Sequence, residues 1–442
     1  MPSSIHERPL ELLQRLIQFD TTNPPGNEAP CAAYIRDVLQ AAGCEATLIE
    51  TGPNRANVVA RLRGEGRAPA VLLYGHMDVV SAQNQPWTRA PFEGQVADGF
   101  VWGRGALDMK GPLTMLLAAF LKAKAENLPM PGDVIFAAVA DEEGGGSFGM
   151  KHLVEKRPEL LAGARYALGE FGGFSLRILG RPFYAIMVSE KQFCALQVTF
   201  RGSAGHGSVP LPGGAMAKLG LGLQRLNERQ LPMHVTPATR VMVESLARQL
   251  PPPMRFAVRQ LLNPSVGSHL LGILGPLAQP FSSLLHNTVT PTIVRGGDTI
   301  NVIPAEVAVG LDGRMVPGFK AADFVAEVQA LLGGAAEVTV AAHDPGPAAP
   351  DMGWFEALGQ ILAEMDPASC AIPIVLPGVT DARFLSRLGI QTYGYTPMRL
   401  PSDLDFVRLI HGADERLPVG ALDFGIRAIY TALQRMPLMP AT

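Results

Sequence analysis

The chain has 442 residues, of which 47% are apolar and 17% charged, and its formal net charge is −3. This is the composition of an ordinary globular protein with enough apolar material for a core, and the length favours two domains. The nearly balanced charge provides no basic face for nucleic acid or an anionic membrane, which argues against those partners.

The cysteines and the apolar runs indicate the compartment. The first ten residues lack an apolar signal core, and the most apolar helix candidate, residues 113–121, is shorter than the ~20 residues of a membrane span. The four cysteines are scattered and form no CxxC pair, which argues against a disulfide framework and suits a reducing environment. We therefore expect a cytoplasmic protein without a membrane span. The cysteines are Cys31, Cys44, Cys194 and Cys370.

The first part of the chain alternates helices and strands. This alternation predicts an α/β fold, with a mostly parallel sheet, helices on both faces and ligands at the carboxyl ends of the strands. The predicted helices are at residues 8–19, 29–42, 110–126 and 148–155, and the predicted strands at 45–50, 56–62, 70–74, 98–102, 134–140 and 165–168.

From about residue 190 the pattern changes to half-buried strands with two helices among them, which predicts a small α+β domain. Its strands are predicted at residues 193–200, 293–297, 305–314 and 337–342, and its helices at 213–229 and 320–332. The α/β pattern returns after residue 345, with helices at 353–364 and 417–435. We therefore predict one domain from residues 1–189 and 345–442, interrupted by a second domain at 190–344 that contains an apolar insertion at about 250–287.

Three short acidic segments lie at or behind predicted strands. His76 and Asp78 are two residues apart, so they share a face of an extended chain; one could bind a metal that the other orients, or His76 is simply hydrogen-bonded at a strand end. Asp108 lies among glycines, where a turn residue is common. Glu142 and Glu143 point to opposite sides of an extended chain, although acidic loops also occur without function. Together the segments predict a hydrolytic metal centre in one crevice.

These segments resemble those of the M20 metallopeptidase family, di-zinc hydrolases that include aminoacylases, glutamate carboxypeptidases and biosynthetic deacylases. The resemblance extends over nearly the whole chain, and residues 102–111 are its most specific part. It implies a zinc-exopeptidase-like catalytic domain and an inserted domain that acts as a lid and joins two subunits into a homodimer. Further matching segments are residues 19–28, 205–210, 301–304, 378–383 and 411–415.

The resemblance implies a specific set of metal ligands. Asp108 would bridge two Zn²⁺ ions, with Co²⁺ or Mn²⁺ as alternatives. His76 and Glu170 would complete one site, and Glu143 and His411 the other.

The resemblance also implies catalytic and substrate-binding roles. Glu142 would be the general base, and Asp78 would orient His76. His206, otherwise a surface histidine, would donate a hydrogen bond to the substrate carbonyl, commonly from the partner subunit. Asn301 and Arg314 would bind the substrate carboxylate, although Arg314 on a strand could also be an ordinary solvated charge.

The predicted activity is release of an amino acid from an N-acyl amino acid or a short peptide. Thr380 would make a polar contact with the substrate or would only stabilise a turn. The apolar insertion would line a pocket for a hydrophobic acyl group, or it would pack against the lid or a dimer partner. One alternative is a biosynthetic deacylase of the succinyl-diaminopimelate or acetylornithine type. Another is a catalytically silent binding protein, against which the intact Glu142 argues.

Overall fold

The computed structural model describes residues 4–178, 180–274, 279–334 and 336–438; residues 275–278 of the predicted apolar insertion lie outside this part. The chain divides into two compact units. Unit 1 consists of Met1–Val188, Asp351–Ile374 and Thr380–Thr442, and unit 2 of Ser189–Pro350 and Val375–Val379.

The strands and helices follow one another along both units. The strands are β1 (Ala46–Gly52), β2 (Arg55–Leu62), β3 (Ala70–His76), β4 (Gln95–Ala97), β5 (Phe100–Trp102), β6 (Val134–Val139), β7 (Ala164–Gly169), β8 (Phe174–Ile178), β9 (Arg181–Glu190), β10 (Gln192–Arg201), β11 (Gly205–His206), β12 (Thr288–Arg295), β13 (Val302–Ile303), β14 (Glu306–Met315), β15 (Ala336–His343), β16 (Cys370–Leu376), β17 (Gln391–Gly394) and β18 (Arg416–Pro418). The α-helices are α1 (Pro9–Ile17), α2 (Ala29–Ala41), α3 (Lys110–Ala125), α4 (Met150–Lys156), α5 (Ala215–Glu228), α6 (Pro237–Arg248), α7 (Pro252–Arg259), α8 (Pro264–Leu274), α9 (Gln279–Leu285), α10 (Ala321–Leu332), α11 (Phe355–Met365), α12 (Ala382–Leu385), α13 (Phe406–Leu409) and α14 (Val419–Gln434).

The large sheet is parallel at its centre. Among the described residues it has nine strands in the order β1-β2-β6-β3-β7-β17-β9-β16, with β8 paired to β9. Neighbours among β6, β3, β7 and β17 are parallel, whereas β1 and β2 on one side and β8 and β9 on the other pair antiparallel. Every residue of β3 and β6 is buried, as parallel strands covered on both faces require.

Helices cover both faces of this sheet. In β3, Val71 and Leu73 belong to one core, together with residues of α1, α2, α3, α11 and α14. Leu72 and Tyr74 belong to a second core, with residues of α4 and α12. Successive side chains of a strand point to opposite faces, so the two cores lie on opposite sides of the sheet. The predicted α/β fold class is confirmed.

Unit 2 is built around an antiparallel sheet in the order β12-β14-β10-β15. Residues of β10, such as Val198 and Phe200, share a core with Leu219 of α5 and with Phe324 and Val328 of α10. The pair β11-β13 forms a separate two-stranded sheet. Two helices packed against an antiparallel sheet agree with the α+β architecture expected for this part of the chain.

Most of the described residues of the apolar insertion are helical. Pro252 and Pro264 stand at the first position of α7 and α8, where a missing N–H costs no hydrogen bond. These two prolines therefore mark helix starts. Leu261, Leu271 and Leu285 of the insertion form a small core, against which Leu270 and Phe281 pack, together with Met233 and Val235 from outside the insertion.

Across the described residues, no helix combines the length and the apolar character needed to cross a bilayer.

Candidate metal centre

The carboxyl ends of three parallel strands bring four of the predicted residues together. His76 is the last residue of β3, Glu142 and Glu143 follow β6, and Glu170 follows β7. Since β3 lies between β6 and β7, the three strand ends open at the same edge of the sheet. This edge is where an α/β sheet generally binds its ligands.

Asp108 and His411 reach the same place from loops. Asp108 lies in a turn just before α3, in which Gly105 has a φ of +86°, a backbone conformation that favours glycine. His411 lies between α13 and β18. Its Nε2 atom is 3.2 Å from Oδ2 of Asp108, although the two residues come from distant parts of the chain.

The two carboxylate oxygens of Asp108 face different histidines. Oδ1 is 3.1 Å from Nε2 of His76, and Oδ2 is 3.2 Å from Nε2 of His411. Glu170 Oε2 lies 3.6 Å from Nε2 of His76, and Glu143 Oε1 lies 3.1 Å from Nε2 of His411. The structure thus brings the five predicted ligands into two groups that share Asp108.

This donor set fits divalent cations. Within each group, one potential ligand atom per residue lies within 4.8 Å of the others, and imidazole and carboxylate are typical ligands of Zn²⁺. Glu170 Oε1 is buried and has no hydrogen-bond partner among the described residues. Buried carboxylates need hydrogen bonds or positive charge, and a cation in each group would supply that charge.

The crowding of acids shifts several pKa values. Burial raises the pKa of Glu143 and of Glu170, and it raises that of Glu142 well above the usual carboxyl value, with a further contribution from the charge of Glu170. Hydrogen bonds with Asp108 and Glu143 raise the pKa of His411 to about 10. Bound cations would oppose these shifts, since they favour ionised carboxylates and neutral imidazoles.

Asp78 holds the loop that carries the two glutamates. Its Oδ1 accepts the N–H of Glu142 and its Oδ2 accepts the N–H of Glu143, both at 3.1 Å. Nδ1 of His76 lies 2.9 Å from the carbonyl oxygen of Asp78 and 3.6 Å from its carboxylate. The backbone of Asp78 therefore has the closer contact with the His76 ring, while its carboxylate fixes the loop after β6.

A buried network behind Asp78 was not predicted. Asn23 Nδ2 donates to Asp78 Oδ2 at 2.8 Å and to Asp141 Oδ1 at 3.0 Å. Arg55 donates to Asp141 Oδ1 at 2.5 Å and to Asn23 Oδ1 at 2.7 Å. Asn23 belongs to the family-like segment 19–28, which was a usable signal, whereas nothing in the sequence singled out Arg55.

Asp381 is a further carboxylate near His76 and Glu170; it lies in the family-like segment 378–383, but no role was predicted for it. It is buried, and its carboxylate oxygens have no hydrogen-bond partner within the described part of the chain. Burial raises its pKa to about 8, against the charge of Arg383 and with that of Glu170. The neighbouring Thr380 is also buried, and its Oγ1 accepts the N–H of Ala382, as a turn residue does.

The other predicted residues lie in unit 2. His206 and Asn301 are neighbours there, because β11 pairs with β13 and the N–H of Gly207 donates to the carbonyl of Asn301 at 2.7 Å. Both side chains are exposed. Arg314 lies on β14 and makes two hydrogen bonds to Asp312, of 2.6 and 3.0 Å. The structure brings His206 and Asn301 together and gives Arg314 a carboxylate partner.

The α/β sheet and the two histidine–carboxylate groups at its carboxyl edge define a metallohydrolase. Comparison with known families makes this specific: residues 72–435 match the model of peptidase family M20/M25/M40, and the chain belongs to this family. It is a hydrolase of the aminoacylase and peptidase type, as the sequence predicted.

Similar proteins support this assignment over most of the chain. Aminoacylase-1 of Sus scrofa is 28% identical over 455 aligned residues, which cover 97% of this chain and 96% of that protein. The N-fatty-acyl-amino acid synthase/hydrolase PM20D1 of Homo sapiens is 28% identical, covering 82% of this chain and 73% of its own length. The M20 family metallo-carboxypeptidase Sso-CP2 of Sulfolobus solfataricus has a similar fold, with a TM-score of 0.66, 18% identity and coverage of 97% of this chain and 99% of its own.

Proposed function

We propose that the protein hydrolyses the amide bond of N-acyl amino acids or short peptides with a pair of divalent cations, in the first instance Zn²⁺. The observation that supports this most strongly is the pair of ligand groups joined through Asp108. A carboxylate with one oxygen toward each histidine has the arrangement needed to bridge two ions. A carboxylate with a purely structural role would not need to direct one oxygen toward each of two histidines.

Glu142 is the proposed general base. When bound, the two cations would polarise the scissile carbonyl and acidify the attacking water. Glu142 would take the proton from that water and later deliver it to the leaving amine. In support, a carboxylate oxygen of Glu142 lies within 4.8 Å of ligand atoms of His76 and Glu143, whereas Glu143 is directed toward His411.

Unit 2 supplies the proposed substrate contacts. His206 would donate a hydrogen bond to the carbonyl oxygen as negative charge develops there. Asn301, its neighbour across the β11-β13 pair, and Arg314 would bind the carboxylate of the substrate. For that task Arg314 would exchange Asp312 for the substrate, an exchange between two carboxylates.

The names of the relatives support the proposed substrate class. Aminoacylase-1 and an N-fatty-acyl-amino acid synthase/hydrolase both align with most of this chain. These names favour N-acyl amino acids over succinyl-diaminopimelate or acetylornithine, whose charges require more polar pockets. The helical insertion with its apolar core is consistent with a hydrophobic acyl group.

The test is a hydrolysis assay with N-acetyl amino acids, long-chain N-acyl amino acids, dipeptides, and the biosynthetic substrates N-acetylornithine and N-succinyl-diaminopimelate. We expect activity that is lost with a chelator and returns with Zn²⁺, Co²⁺ or Mn²⁺. Failure of the metal-restored protein on every substrate would reject the proposal, and preference for a biosynthetic substrate would replace the substrate class. A constant kcat/KM with increasing acyl length would reject the role of the insertion.

We also propose a homodimer through the inserted domain and a cytoplasmic location. The cysteines among the described residues are free, as a reducing compartment requires. Light scattering of the purified protein tests the dimer: a monomeric mass at micromolar concentration would contradict it.

A further inference from the structure

Glu415 is a buried carboxylate four residues beyond His411, and protein donors surround it. Its Oε1 accepts the N–H of Leu107 at 2.6 Å and that of Asp108 at 2.9 Å. Its Oε2 accepts the N–H of Gly105 and a guanidinium N–H of Arg104, both at 2.9 Å. Three backbone donors of the Asp108 turn thus end on one side chain.

These bonds use the full accepting capacity of the carboxylate. An ionised carboxylate has about four acceptor positions, and Glu415 has four donors. No accepting position is left for a metal ion or a substrate. Glu415 is fully buried, which is costly for a carboxylate unless it is paired and hydrogen-bonded. Arg104 and the three backbone N–H groups meet this requirement.

The partner of Glu415 extends this contact to His411. A second guanidinium nitrogen of Arg104 lies 3.3 Å from the carbonyl oxygen of His411 and 2.7 Å from Oε1 of Gln85. Gln85 in turn donates from Nε2 to the same His411 carbonyl at 2.9 Å. One buried ion pair is therefore hydrogen-bonded to the backbone of Asp108 and to the backbone of His411.

We propose that Glu415, paired with Arg104, is a positioning residue that sets the separation of Asp108 and His411, and thereby the affinity and geometry of the cation that these two ligands share. The proposal rests on the metal centre proposed above. Backbone bonds at both ligands fix where their side chains begin, and metal affinity depends strongly on groups that orient the ligands. Glu415 itself touches neither the metal nor the substrate.

The test compares Glu415→Gln with Asp366→Asn. Glutamine keeps the size of the side chain, but it turns an amide NH₂ group toward donors. Asp366 is also a buried carboxylate of unit 1 and accepts a hydrogen bond from Tyr184, so its variant controls for the loss of a buried charge. Zn²⁺ affinity is measured by competition with a chelator, and site geometry by the visible absorption of the Co²⁺-loaded protein.

We expect Glu415→Gln to lower Zn²⁺ affinity by about 10- to 100-fold and to change the Co²⁺ spectrum. Asp366→Asn should lower the melting temperature of the metal-free protein but leave affinity and spectrum unchanged. A Glu415→Gln protein with wild-type affinity and spectrum would overturn the proposal. Wild-type protein that binds no metal would instead overturn the proposed function.

A second variant decides the matter if Glu415→Gln does not fold. Gln85 is only partly buried, and Gln85→Ala removes one bond to His411 and one to Arg104. We expect a loss of Zn²⁺ affinity of several-fold, on the order of one lost hydrogen bond. Unchanged affinity and an unchanged Co²⁺ spectrum in this variant would overturn the proposal without any measurement on Glu415.

Discussion

At the scale of single residues, two adjacent glutamates have different neighbours. Oε1 of Glu143 lies 3.1 Å from Nε2 of His411, whereas Glu142 is grouped with His76 and Glu143 and not with His411. Asp78 makes this divergence possible, because it binds both backbone N–H groups and fixes where each side chain starts. Neighbouring carboxylates can therefore take separate tasks in one reaction.

This arrangement predicts different outcomes for two isosteric substitutions. Glu142→Gln removes the proposed base and keeps the ligands, so kcat should fall by at least about 10²-fold while the metal content stays at the wild-type level. Glu143→Gln weakens a ligand, so metal content should fall together with activity. Metal analysis and steady-state kinetics on both variants provide the measurement. Near-normal turnover by Glu142→Gln would remove Glu142 from the role of base.

His206 offers a second prediction at this scale. Its side chain is exposed, so His206→Ala should fold normally and bind metal as before. Loss of one donor to a developing oxyanion typically costs about 10²- to 10³-fold in kcat. His269→Ala removes another exposed histidine of unit 2 and serves as the control. If both variants keep wild-type kcat, His206 is not the oxyanion donor.

At the scale of elements, the loop after β6 depends on groups packed behind it. Asn23 bonds Asp78 and Asp141 and receives a bond from Arg55, all of them buried. The loop that carries Glu142 is thus connected through side chains to the N-terminal segment of the chain. The position of this loop therefore depends on residues packed behind it as well as on the strand β6.

Asn23→Ala should therefore affect both stability and catalysis. The variant leaves buried charges with fewer partners, which costs about 1–3 kcal/mol of unfolding free energy. It should also lower kcat, because Asp78 loses one of the groups that hold it. Asn27→Ala, in the same loop but exposed, is the matched control for urea unfolding and kinetics. Equal results for the two variants would contradict this role of Asn23.

Lys191 gives a pH-dependent prediction for unit 2. This buried lysine donates to the carbonyls of Ser283 and His286 and to Thr288 Oγ1, which anchors the end of the insertion to the sheet. Burial, with the charge of Arg314, lowers its pKa from 10.5 to about 7. Between these values the unfolded chain binds a proton that the folded chain does not. The contribution of Lys191 to stability therefore increases as the pH rises from about 7 to 10.5.

Urea unfolding at several pH values tests this sign. The unfolding free energy of wild type minus that of Lys191→Met should increase over this pH range. Lys218→Met, at a partly exposed lysine of unit 2, controls for the loss of a lysine side chain. A constant difference for Lys191→Met would mean that the lysine is not buried in its neutral form.

Sequence patterns predicted the strands that precede the candidate metal ligands better than the strands near the C-terminal end of the chain. The strands β3 and β6 are largely apolar runs, and their ends, like those of β7, are close to the predicted ones, so the polar residues at these ends could be singled out. The strand β16 was missed because it contains Pro373, which an edge strand tolerates. The strand β17 is only four residues long. Both depend on partners that local periodicity does not reveal.

The supporting network was beyond sequence reasoning for a different reason. Four of the five proposed metal ligands have a local signature, since they lie at or behind a strand or, like Asp108, among glycines; His411 was predicted from the family resemblance. Arg55 and Asp141 are 86 positions apart, and Glu415 and Asp108 are 307 positions apart. A hydrogen bond between such residues leaves no periodic trace, so only the folded chain shows it.

At the scale of the whole molecule, metal binding should stabilise the fold. A ligand that binds only the native state adds about 2.7 kcal/mol when its concentration is 100 times Kd. Bound cations would also relieve the repulsion among Glu142, Glu143 and Glu170, whose pKa values are raised in the folded chain. Chelation should therefore lower the melting temperature measured by calorimetry.

Restoring Zn²⁺ should raise the melting temperature again in a concentration-dependent way. Asp108→Asn is the matched variant, because it removes the shared ligand and should abolish most of the increase. Mg²⁺, which prefers oxygen ligands and resists dehydration, should have a smaller effect. An Asp108→Asn protein that responds to Zn²⁺ like wild type would place the cations elsewhere.

The position of His411 in the chain has a consequence for biosynthesis. This proposed ligand comes 268 positions after Glu143, the residue it faces. A nascent polypeptide that has emerged from the ribosome only as far as Glu170 presents four of the five ligands, and Asp108 still lacks its contact with Glu415. We expect tight metal loading to wait until translation has passed this last stretch. A chain shortened to residue 410 should bind Zn²⁺ no better than His411→Ala. If the shortened chain binds Zn²⁺ with wild-type affinity, metal loading does not depend on the synthesis of this last stretch.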